Sequence, residues 1–249
     1  MKISLRILLI NFLIVVLILG SSFLVFYTIL YEVLTSFQTR NLKQSANSFT
    51  YVYRSLQSDV EDDFFALYND GIESAFSNQR LQTKNIDFIL ETNDKPDENF
   101  LRYVVKHDIY LPERNFNLKE FLNYNPYVIL MSFEGTDNRK YIYGKVISTE
   151  MLDNISQRIN ADIALIWNGD PIDISNHLLN QNYIYILTQA VENLKDKNNF
   201  ELYLQGTESN DILATIYKPA SIDKQDNLYF LIFATFAEAG DLRSTLKNV

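Results

Sequence analysis

The sequence predicts an α+β protein, a helical first third followed by an antiparallel sheet with flanking helices. Three observations carry this. Leu8 to Leu30 form an uncharged apolar run of 23 residues. Tyr31 to Asp70 contain neither Pro nor Gly and repeat apolar residues at helical spacing. Beyond Asp70 the pattern changes to short alternating runs separated by turn residues.

The apolar run, as a helix rising ~1.5 Å per residue, reaches ~34 Å and crosses a ~30 Å hydrocarbon core. Lys2 and Arg6 precede it and would also suit a signal peptide. The run continues through Phe23, Leu24, Val25 and Phe26 without a small-residue cleavage pattern, so it reads as an uncleaved anchor. Within it, Asn11 could bond a partner helix, and Gly20, Ser21 and Ser22 could admit one closely. Lys2 and Arg6 favour a cytoplasmic N-terminus over residues 1–7. Every acid follows Tyr31, as do all bases except those two, so the remainder is acidic and reads as extracytoplasmic. The nine residues from Leu228 to Phe236 are too short for a second helical span.

In the next segment Leu42, Ala46, Phe49, Tyr53, Leu56, Val60 and Leu67 mark one helix face, with Asp63 at the skipped position. That stripe can pack against the domain that follows, or pair with a second copy as a dimer stalk. Glu61, Asp62 and Asp63 read as a solvated acidic surface.

Strands are expected over Ile86 to Leu90, Leu101 to Val105, Tyr127 to Phe133 and Tyr141 to Ile147, the last two joined by the turn Glu134 to Asn138. Ser148 or Thr149 caps a helix running to about Asn160. Asp162 to Trp167 is a strand. Asn168-Gly169 suits a type I′ hairpin turn, and Pro171 to Ile174 returns as its partner. Ile186 to Leu194 has helical spacing. Phe200 to Gln205, Asp211 to Lys218 and Asn227 to Phe236 complete a sheet with helices over one face. Ala237 to Val249 reads as the start of another helix.

Composition excludes several functions. With 31 acids against 22 bases the chain lacks the basic face of a nucleic-acid binder. With no cysteine there is no disulfide, thiolate metal site or thiol nucleophile. His107 and His177 are the only histidines and read as surface or loop residues. Asp170 and Asp173 flank a turn, where Asp bonds locally, and are not read as a catalytic pair. No hydrolase, metalloprotease or nucleotide-loop motif is present, so no enzyme and no cofactor is expected.

The layout resembles the extracytoplasmic sensor region of bacterial signalling receptors, a Cache or CHASE-type domain of PAS-like fold. The likeness rests chiefly on YGKVISTEMLDNISQRINADIALIWNGDPI, from Tyr143 to Ile172, where the Gly144-Lys145 pair ends a strand before a helix and hairpin. The N-terminal MKISLRILLINFLIVVLILGSSF is similar to the start of a sensor histidine kinase. The resemblance implies a second membrane helix and a cytoplasmic output domain. The chain stops at Val249, about where that helix should start, so it is expected to be the sensor portion of a larger receptor.

The expected organisation is 1–7 cytoplasmic, 8–30 transmembrane, 31–80 a long membrane-proximal helix, 81–147 an upper β-rich subdomain, 148–236 the sensor module and 237–249 the helix toward a second span. A small molecule is expected between the sheet and its covering helices. The candidate residues are Tyr143, Lys145, Arg158, Trp167, Tyr203, Tyr217 and Lys218. Trp167 could stack on a ligand or fill the core. Expected partners are a bacterial inner membrane, a second copy in a homodimer, and a small molecule or envelope protein. The competing reading is a membrane-tethered interaction or assembly protein without signalling output.

Overall fold

A computed structural model describes residues 2–74, 76, 81, 84–93, 99–106, 109–112, 115–136, 139–175, 181–194, 203–206, 211–219 and 228–236. His107, His177 and the helix expected over Ala237 to Val249 lie outside these. The fold is α+β: a long, apolar N-terminal helix followed by two antiparallel sheets with flanking helices.

Helix α1 runs unbroken over Lys2–Asn69, 68 residues or about 100 Å at ~1.5 Å each. Gly71, at φ +97°, takes the left-handed conformation that ends it. Side chains from Ile10 to Phe26 all stand exposed, on a helix long and apolar enough to cross a membrane. Further along, the helix buries a stripe that includes Leu42, Ala46, Phe49, Tyr53, Val60 and Leu67, with Leu56 half-buried. The expected gap in that stripe is filled by Phe64, which is fully buried. Asp63 turns aside and meets Lys84 at 3.1 Å, so it is a tether and not part of a solvated acidic surface. The stripe packs on the chain's own sheets, which leaves this face unavailable for a stalk with a second copy.

The upper sheet contains β1 (Phe88–Asn93), β2 (Arg102–Val105), β3 (Val128–Glu134) and β4 (Arg139–Val146), in the order β2-β1-β4-β3. Its inner face, with Ile89, Tyr141 and Tyr143, packs on Val60, Phe64 and Leu67 of α1. Its other face, with Phe88, Leu90, Leu130 and Ile142, is covered by α2 (Leu118–Tyr124). Helix α2 was not expected from the sequence. Its capping box is formed by Asn117 and Glu120, and it buries Leu118, Phe121 and Leu122. On the inner strand β1 the buried Glu91 carboxylate meets Arg102 at 2.6 Å and Arg139 at 2.7 Å.

The lower sheet contains β5 (Asp162–Trp167), β6 (Asp170–Ile174), β7 (Tyr203–Gly206), β8 (Asp211–Tyr217) and β9 (Leu228–Phe236), in the order β6-β5-β9-β8-β7. Both turn positions of its first hairpin are left-handed, Asn168 at φ 54° and Gly169 at φ 94°. Ile163, Leu165, Leu213, Phe230 and Ile232 pack on α1 and on α3 (Thr149–Ile159). The alternate residues Ala164, Ile166, Ala214, Ile216 and Leu231 pack on α4 (Gln181–Leu194). Helices therefore cover both faces, not one. The strands read DIALIW and LYFLIFATF as near-continuous apolar runs because both faces are buried.

The two sheets share a winding rule. In each, the first two strands form a hairpin and the last strand returns to pair with the first. Each also rests on α1, at different turns of the same helix.

Candidate functional site

Where α1, the end of β4 and α3 meet, a cleft of about 370 Å³ opens to solvent. Its walls come from three parts of the molecule. Helix α1 contributes the half-buried Val52 and Leu56, and the end of β4 contributes Lys145. Helix α3 contributes Met151, Asn154, Ile155 and Arg158 along one face, with Ser148 and Glu150 at its start. Positions 151, 154, 155 and 158 follow the i, i+3, i+4, i+7 spacing of a single helix stripe.

Local sequence fixes each wall. Along β4, Tyr141, Tyr143 and Lys145 alternate toward α1. Tyr143 stacks on Phe64 with ring centroids 3.8 Å apart and planes 5° apart. Burial, then the Glu61 carboxylate, pushes its hydroxyl up to about 12. Tyr143 is thus a core residue of the upper sheet and does not line the cleft. Lys145, two residues on, is half-buried with its Nζ 3.5 Å from Asn85 Oδ1.

Gly144 permits this geometry. A Cβ there would lie 1.8 Å from the Ile129 carbonyl oxygen and 2.7 Å from Phe88 Cζ. The glycine of the Gly-basic pair is therefore needed for close packing, and the alternation of the strand turns the lysine to the other face.

The segment ahead of β1 is tied from three sides. Asp63 of α1 accepts the Asn85 N–H at 2.8 Å and pairs with Lys84. Asp87 accepts Lys106 Nζ at 2.8 Å and the Val146 N–H at 2.9 Å. Burial pushes the Asp63 carboxyl up, but the Asn85 N–H and the Lys84 ammonium outweigh it and hold it below its ordinary value.

Helix α3 is held at both ends. Its N-cap Ser148 accepts the Met151 N–H at 3.2 Å, and Asn160 ends it in the left-handed conformation. The Thr149 hydroxyl donates to Asp173 Oδ2 at 2.8 Å, which ties the helix to β6 and gives Asp173 a structural role. The Ser45 hydroxyl donates to the Ile159 carbonyl at 2.7 Å and joins the far end of α3 to α1.

The structure brings two of the expected residues together on the cleft, Lys145 and Arg158. Trp167 is half-buried and packs against the core between the lower sheet and α1. Tyr217 lies under α1, its ring 5.2 Å from Phe49 and 5.5 Å from Tyr53. Burial raises its hydroxyl, and Arg54, bonded to it, partly offsets this. Lys218 sits 5.4 Å over the Tyr229 ring, on the α4 side of the sheet. Tyr203 lies in β7, and its side chain is outside the described residues. Sequence reasoning missed Val52, Leu56, Glu150 and Asn154. The stripe through Met151 and Arg158 was a usable signal, since α3 buries its Leu152, Ile155 and Ile159 side and leaves this flank free for a second surface. A second cavity, of about 320 Å³ at the other end of α3, is lined by Gln157, Asn160, Asp162 and Phe233 among others and has no cation in its wall among the described residues.

No family model and no curated protein matches the chain. Solved structures similar to it include the ligand-binding domain of the Campylobacter jejuni chemoreceptor Tlp3 in complex with L-valine. That match has 12% identity and a TM-score of 0.47, covering 86% of this chain and 96% of the other. The same receptor's domain in complex with 4-methylisoleucine matches at 14% identity and a TM-score of 0.45, covering 83% of this chain and 92% of the other. Its sensory domain with isoleucine bound matches at 11% identity and a TM-score of 0.44, covering 86% and 96%. At these values the likeness assigns neither a family nor any residue of the cleft.

Proposed function

We propose that the chain is the extracytoplasmic sensing portion of a membrane receptor, with the cleft as its input site and α1 as its route to the membrane. One observation carries this reading. A single unbroken helix joins an exposed apolar segment of membrane-spanning length to the packing face shared by both sheets, and the cleft opens on that same helix. An occupant touching Lys145, Arg158 and Leu56 at once would bridge the upper sheet, α3 and α1. It would favour whichever arrangement of the three it fits better, since only differential affinity shifts a conformational equilibrium. The similarity of the N-terminal segment to sensor histidine kinases supports a kinase as the cytoplasmic output. Membrane insertion, extracytoplasmic placement and a homodimer belong to the same proposal.

The test is a chimera in which residues 1–249 precede the second membrane helix and cytoplasmic part of a histidine kinase. Lys145→Glu or Arg158→Glu should change basal phosphorylation, while Lys119→Glu, an exposed change on α2, should not. An output that ignores both cleft substitutions would overturn the receptor reading and favour a tethered interaction protein.

A further inference from the structure

We infer that the cleft takes a small monocarboxylate with an aliphatic body. This rests on the sensing reading of the same site and names what is sensed. The argument begins with charge. The cations that secure the upper sheet are each matched by an acid: Lys84 by Asp63, Lys106 by Asp87, and Arg102 and Arg139 by Glu91. Among the described residues, neither Lys145 nor Arg158 on the cleft has such a salt bridge. The Lys145 ammonium donates to a neutral amide oxygen, Asn85 Oδ1, at 3.5 Å.

Two cations from separate parts of the fold thus line one opening, neither of them in a salt bridge among the described residues. A planar guanidinium matches a carboxylate through two parallel N–H donors, and the lysine ammonium adds a point charge. Glu150 also lines the opening, so the three ionisable groups sum to a single positive charge. That balance suits a monoanion and disfavours a dianion.

The rest of the lining defines the body of the ligand. Val52 and Leu56 are half-buried, and Ile155 is buried, in the same lining. They form an apolar floor between α1 and α3 that an aliphatic chain would cover. A cavity of about 370 Å³ is in the range of small-ligand pockets. Because Lys145 belongs to the upper sheet and Arg158 to α3, one carboxylate between them would link the two halves of the molecule.

The test uses the full chain in lipid nanodiscs, titrated calorimetrically with 4-methylpentanoate and with its neutral isostere 4-methylpentanamide. The carboxylate should bind in the millimolar range or tighter, and the amide at least ~10-fold more weakly, the ratio that one ion-paired contact gives. Arg158→Gln and Lys145→Gln should each weaken the carboxylate by a similar factor, while Lys119→Gln leaves it unchanged. An unchanged thermal midpoint without the probe shows that each variant is folded. The inference is overturned by equal binding of acid and amide, by binding that neither cleft variant weakens, or by no binding of the acid at millimolar concentration. If the chimera still responds to cleft charge reversal in any of these cases, the receptor reading stands and only the ligand class falls.

Discussion

Gly144 has no room for a methyl group, because β4 lies against the Ile129 carbonyl and the Phe88 ring at that point. Gly144→Ala should destabilise the protein by about 1–3 kcal/mol through overpacking, and Gly20→Ala, with nothing within 4 Å, should not. Thermal unfolding of the two variants side by side checks this. Two titrating residues contribute to the pH dependence of stability. Tyr143 is raised to about 12 in the fold against ~10 unfolded, so its stabilisation is complete below pH ~10 and is lost as pH climbs through 12. Asp63 is lowered in the fold, so its contribution is complete above the unfolded value of ~3.9 and is lost as pH falls through the folded one. Circular dichroism against pH should show Tyr143→Phe softening the alkaline loss and Asp63→Asn softening the acid loss. An unchanged alkaline limb in Tyr143→Phe would count against its buried, uncharged role.

At the scale of elements, α1 organises the molecule by presenting two apolar surfaces in succession, Leu42 to Tyr53 for the lower sheet and Val60 to Leu67 for the upper. Phe64→Ala removes the ring that stacks on Tyr143 and should cost about 3–5 kcal/mol, whereas the exposed Asp62→Ala should stay within ~0.5 kcal/mol. Thermal or urea unfolding separates the two. This contrast also marks the limit of what the sequence discloses. The strand Asp162–Trp167, its Asn168-Gly169 turn and a helix cap at Ser148 or Thr149 were legible because each depends on neighbours a few residues away. The stripe of α1 was legible as a helix face, but not its purpose. Only tertiary contact decides that Phe64 turns inward while Asp63 reaches Lys84. Helix α2 is seven residues long, too short for periodicity to register, although Asn117 and Glu120 mark its start. The cover of α4 over the second face of the lower sheet follows from the unbroken apolar runs of β5 and β9, which alternation-based reading undervalues.

At the scale of the whole molecule, the cleft was only partly legible. Lys145 and Arg158 are 13 positions apart and meet because β4 runs straight into α3, whereas Val52 and Leu56 arrive from a helix nearly a hundred residues earlier. Of the aromatic candidates, Tyr143, Trp167 and Tyr217 pack into or against the core, as their apolar neighbours on alternate faces require. On the proposed reading, a single helix anchors the chain in a membrane and carries both sheets outside the cell interior. Because the chain has no cysteine, single cysteines can be placed along α1 without background. The deciding measurement is labelling of Leu17→Cys, Asn47→Cys and Ser58→Cys by a membrane-impermeant maleimide on intact cells, with outer barriers permeabilised. The account predicts that Asn47→Cys and Ser58→Cys label at once, and that Leu17→Cys labels only after detergent. Prompt labelling of Leu17→Cys, or protection of Asn47→Cys and Ser58→Cys until the cells are lysed, would contradict it.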